Sequence, residues 1–65
     1  MLTKAQVEEI RGLKNGYVSA KLDGMETLSR LYMDWIYEWY VDNMQNLTNI
    51  QCKEFDIFFH MNDYL

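Results

Sequence analysis

The sequence predicts an all-α fold, a small three-helix bundle with one long central helix. Three observations predict it. A helix-start signature recurs at Thr3/Gln6, Asp23/Glu26 and Thr48/Gln51, the chain has no proline, and Met25 to Met44 contains neither Gly nor Pro while its apolar residues repeat at helical spacing. At 65 residues the chain has the size of one small domain, 1–65.

Thr3 followed by Gln6 makes a capping box, with Leu2 and Val7 in the two positions of a hydrophobic staple, so the first helix starts at Lys4. Val7, Ile10 and Leu13 form its apolar stripe, and Asn15-Gly16 offers a left-handed stop, which predicts a helix over 4–14. Tyr17 to Leu22 is then a loop that anchors Tyr17, Val18 and Leu22 on the core.

Asp23, with Glu26 three residues on, predicts the cap of the central helix. At about 100° per residue, Met25, Leu28, Tyr32, Met33, Trp35, Ile36, Trp39, Tyr40 and Leu47 fall on one arc, the expected core face. Glu26, Arg30, Asp34, Glu38 and Asp42 recur every four residues on the other side as a solvated stripe, with Glu26–Arg30 and Arg30–Asp34 as neighbours.

Thr48 with Gln51 predicts a third helix from Asn49. Residues 50–61 also alternate well enough for a strand, but the cap favours the helix and a lone terminal strand has only Tyr17 to Leu22 to pair with. The predicted apolar face is Ile50, Phe55, Phe58, Met61 and Leu65, with Lys53, Asp56, His60 and Asp63 opposite.

Composition narrows the function. Ten acidic against six basic residues give a net charge of -4, and the basic residues are scattered, which disfavours direct nucleic-acid binding and anionic membranes. No stretch is long and apolar enough to span a bilayer, and the N-terminus lacks the apolar region of a signal peptide. A cytoplasmic protein is the expectation.

One Cys and one His exclude an intrachain disulfide and are too few for a structural zinc, so neither metal nor other cofactor is expected. Cys52 and His60, eight residues apart on a helix, lie about 12 Å apart along its axis, too far for a nucleophile–base pair. Gly12, Gly16 and Gly24 match no phosphate-binding spacing, and no catalytic constellation is visible.

The central helix stands out for its aromatic excess: Tyr32, Trp35, Tyr37, Trp39 and Tyr40. Tyr37, Val41 and Met44 project outside the expected core arc, and with Tyr40 they are the expected anchors for a partner, because Tyr, Trp and Met are enriched where proteins bind one another. Asp34, Glu38 and Asp42 form the charged rim.

For a folded 7.9 kDa chain, surface scaling leaves roughly 4,400 Å² exposed against roughly 11,500 Å² unfolded. Its core is therefore small, and burial against another chain would add what it lacks. The expectation is a non-enzymatic protein-binding module, a small regulator or inhibitor of a larger protein in the manner of phage products that act on host defence enzymes. Homodimerisation through the central helix is expected alongside it. The alternative is an acidic nucleic-acid mimic that blocks a DNA- or RNA-binding protein, since carboxylates four residues apart lie about 6 Å apart along the helix, near the spacing of successive phosphates.

Overall fold

The computed structural model describes residues 1–64 and places them in three helices, α1 (Lys4–Leu22), α2 (Glu26–Asn43) and α3 (Asn49–Met61), with a 3₁₀ turn at Met44–Asn46 before α3. The all-α three-helix expectation holds, and residues 50–61 are helical rather than extended; the central helix is not the one long helix expected, since α1 has 19 residues and α2 has 18. Leu65, expected on the apolar face of α3, lies outside the described residues.

Two of the three helix starts form as the sequence predicts. Thr3 Oγ1 accepts the Gln6 N–H at 3.1 Å while Gln6 Oε1 accepts the Thr3 N–H at 2.8 Å, and Thr48 and Gln51 repeat the exchange at 3.1 and 2.9 Å. Asp23 does not cap α2. It is the C-cap of α1, and α2 begins behind Met25 with no side-chain cap. The cause is Gly24, at φ 72, which closes a Schellman turn: its N–H bonds the Lys21 carbonyl at 3.2 Å and the Met25 N–H bonds the Ala20 carbonyl at 2.9 Å.

The predicted stop at Asn15-Gly16 is therefore wrong, and Tyr17 to Leu22 is helix rather than loop. Gly16 serves a tertiary contact instead. A Cβ at Gly16 would overlap the Tyr32 ring of α2, so the glycine lets that ring lie against the α1 backbone. The helix propensity lost at Gly12 and Gly16, about 1 kcal/mol each, is offset by packing against α2, the closest helix pair in the molecule.

The core is largely aromatic. Phe59, with no exposed surface, meets Tyr37 at 5.4 Å, Tyr64 at 5.6 Å, Tyr40 at 5.7 Å and Phe58 at 5.8 Å between ring centroids. Ile10, Tyr17, Met33, Ile36, Trp39 and Phe55 complete it. On α3 the expected apolar face is corrected: Phe55 is buried and Phe58 half-buried, but Ile50 and Met61 are exposed and Phe59 takes the centre. Rings bury more area than aliphatic side chains and gain from edge-on contacts, so they set the rotation of α3.

On α2 the buried arc is turned by roughly 40° from the expected one, toward Tyr37. Met33, Ile36, Trp39 and Tyr40 are buried, whereas Met25, Leu28 and Trp35, expected in the core, are exposed. α1 covers the side of Ser29, Tyr32 and Asn43, α3 covers the side of Tyr37 and Tyr40, and no third neighbour among the described residues covers Leu28 and Trp35.

Polar groups tie the ends. Asn43, buried, donates to the Trp39 carbonyl and accepts from Gln6 Nε2, both at 2.8 Å. Tyr17 donates to Asn62 Oδ1 at 2.7 Å, and the Asn62 amide donates to the Phe58 carbonyl at 2.7 Å.

Candidate protein-binding surface

The outward side of α2 carries the residues expected to meet a partner, and the structure divides them. Tyr40 is 7% exposed and packs on Phe55 at 5.0 Å; it is a core residue rather than an anchor. Burial first, and the charge of Asp56 second, raise its phenol above the ordinary range. Tyr37 is half-buried, with its ring against Phe59, Tyr40 and Tyr64. Its main contacts are thus internal. The 40° turn of the buried arc draws Tyr37 inward, whereas Tyr40 already lay on the expected core arc.

Val41 and Met44 are exposed, at 47% and 41%. Both lie on the Tyr37 side of a ridge that carries Asp34, Glu38 and Asp42, all exposed. Asp34 accepts the Tyr64 hydroxyl at 2.7 Å, which ties the chain end to the ridge and, with burial as the second cause, pushes the Tyr64 phenol up to about 12. Glu38 and Asp42 make no ion pair: among the described residues the one pair within bonding range is Arg11–Glu8 at 3.2 Å. The expected Glu26–Arg30 and Arg30–Asp34 neighbours do not close into ion pairs. The ridge therefore projects uncompensated negative charge, with Val41 next to it and Met44 in the turn after α2.

A second surface escaped the sequence reading. Leu28, Leu31 and Trp35 are 37%, 43% and 42% exposed, and Trp35 meets the Tyr32 ring edge-on at 5.2 Å. They line the side of the α1–α2 pair away from α3. A signal was present in the small residues Gly12, Gly16 and Ser19, which share one side of α1 at helical spacing.

A cleft of about 370 Å³ opens between the C-terminal end of α1, the first half of α2 and the chain end. Lys21 and Arg30 line it together with Glu26, Asp34 and Asp63, so it carries charges of both signs. Cys52 is half-buried and His60 exposed. Among the described residues no three His, Cys, Asp or Glu side chains are grouped to hold a metal ion, and no helix is long and apolar enough to cross a membrane. The chain matches no family model, no curated protein and no solved structure.

Proposed function

We propose that this protein is a non-enzymatic protein-binding module that docks on a larger protein and regulates or inhibits it, as small phage-encoded proteins do to host or defence enzymes in the cytoplasm. The observation that carries the reading is the outward side of α2 and the turn after it, where Val41 and Met44 are exposed and the carboxylates of Glu38 and Asp42 make no ion pair. Apolar contact at a ridge of this kind supplies affinity, and the carboxylates steer encounter with a basic target. Self-association belongs to the same reading, because a second copy is one way to cover apolar surface.

The acidic row also favours a second reading, mimicry of a nucleic-acid backbone toward a DNA- or RNA-binding protein, since Asp34, Glu38 and Asp42 follow one another along the outside of α2. Both readings are tested by capture from nuclease-treated lysate with stepped salt elution, using the tagged protein, Val41→Ser/Met44→Ser and Glu38→Gln/Asp42→Asn. A target retained at high salt and lost by the Val41/Met44 variant fits docking. Release of a nucleic-acid-binding protein at moderate salt, abolished by the Glu38/Asp42 variant, fits mimicry. A set of captured proteins unchanged by either variant would remove the ridge as the site.

A further inference from the structure

The side of the α1–α2 pair away from α3 has two unlike halves. Along α2 stand Leu28, Leu31 and Trp35, all more than a third exposed. Along α1, at the helical phase next to Gly16, lie Gly12, Asn15 and Ser19, with open space above Gly12. The helices run antiparallel, in a register set by Gly16 against Tyr32 and Gln6 against Asn43. Trp35 is therefore level with Gly12 and Asn15, and Leu31 and Leu28 are level with the Ser19 end of the shelf. One half is an apolar ridge, the other a flat shelf at the same height.

Two whole-molecule quantities point to missing burial. The accessible surface is 4946 Å², against roughly 4,400 Å² for a folded chain of this mass. The radius of gyration is 11.8 Å, against about 10.7 Å for a compact domain of this length. The surplus surface, on the order of 500 Å², is the larger part of the roughly 800 Å² that each partner contributes to a stable interface.

We propose that this face is the interface of a two-fold homodimer in which α2 of each copy lies on α1 of the other. A two-fold axis parallel to the helices keeps heights constant and exchanges ridge with shelf, so Leu28, Leu31 and Trp35 of one copy seat on Gly12, Asn15 and Ser19 of the other. A two-fold axis across the helices would instead set ridge against ridge and bring the carboxylates toward Leu28. The inference shares with the proposed function the premise that another chain covers this one's apolar surface; its apolar residues lie on a different face from Val41 and Met44, although Leu31 and Trp35 share a side of α2 with Glu38 and Asp42.

Sedimentation equilibrium on the full chain tests it. The mass is expected to approach twice 7.9 kDa as concentration rises. A Cβ at Gly12 meets no atom in the monomer, so Gly12→Gln has room to leave α1 and improves helix propensity, but it fills the space that Trp35 of the other copy takes. It is expected to raise the dissociation constant about tenfold or more with helicity intact, as is Leu31→Lys. Val41→Ser/Met44→Ser should leave the dimer unchanged while removing any target bound at the ridge, which separates failure of this inference from failure of the proposed function. A single 7.9 kDa species at all concentrations overturns the inference. So does a dimer that survives both Gly12→Gln and Leu31→Lys, or one lost only on substitution of Val41 and Met44.

Discussion

The Tyr32 ring of α2 occupies the place a Cβ on Gly16 of α1 would take, whereas four residues earlier the same addition at Gly12 would meet nothing. Two glycines in one helix thus have opposite requirements. Gly12→Ala is expected to stabilise the fold by about 0.5–1 kcal/mol through helix propensity. Gly16→Ala forces the Tyr32 ring off α1 and away from Trp35, with an expected net loss of about 1 kcal/mol. Urea unfolding of both variants, repeated in a Tyr32→Ala background where Gly16→Ala should become stabilising, checks the contact. Equal gains from both substitutions in the natural background would contradict it.

Gln6 and Gln51 close the same kind of capping box, but only Gln6 also donates to the buried Asn43, at 2.8 Å. Gln6→Ala therefore loses a cap and leaves the Asn43 Oδ1 without its donor, whereas Gln51→Ala loses a cap alone. The expected costs are about 2 and about 1 kcal/mol. Thermal unfolding should rank the two in that order, and the difference should vanish when Asn43 is also replaced.

Asp63 holds φ at 56, the left-handed conformation of a Schellman turn in which the Tyr64 N–H bonds the Phe59 carbonyl at 2.9 Å. Non-glycine residues meet strain there. Asp63→Gly is expected to raise stability by about 0.5–1 kcal/mol and Asp63→Val to lower it. The denaturation midpoints of the two variants should move in opposite directions.

The Tyr64 hydroxyl bonds Asp34 at 2.7 Å, and the phenol is pushed up to about 12, first by that hydrogen bond and then by burial. The folded value lies above the unfolded value of about 10. The linked stabilisation is therefore whole below about pH 10 and is lost as pH rises through about 12. Tyr40 is also raised, by burial before the charge of Asp56, so assignment needs a variant. In ultraviolet difference absorbance, Tyr64→Phe should remove one late-titrating phenol and flatten the fall in stability over that window. An alkaline profile identical to that of the natural chain would show that the bond to Asp34 does not form.

The elements legible in the sequence were those that local chemistry decides. Thr3 with Gln6 and Thr48 with Gln51 satisfy orphan N–H groups within four residues of chain, so both helix starts could be read directly. Asp23 with Glu26 has the same pattern and fails, because Gly24 next to it completes the end of α1 first. Asn15-Gly16 fails for a different reason: Tyr32 lies distant in sequence, and no local rule reports that its ring needs a neighbour without a side chain.

Much the same division holds for the surface. The acidic row and the exposed Val41 and Met44 could be placed on α2 from periodicity, because carboxylates stay in water wherever the helix packs. Tyr37 could not, since an aromatic side chain suits either a core or an interface, and Tyr40, placed on the core arc, is buried there. Here Phe59, offered by α3, drew Tyr37 inward and turned α2 so that Leu28 and Trp35 came out.

By itself the amino-acid sequence determined the helical class, both capping-box starts, the site of the central helix and its acidic stripe. Each follows from contacts within about one helical turn. Only the tertiary structure decided where α1 ends, which rings form the core and which apolar residues remain outside. Those outcomes depend on how wide a sector of α2 its two neighbours can cover, and residues far apart in the chain settle that together.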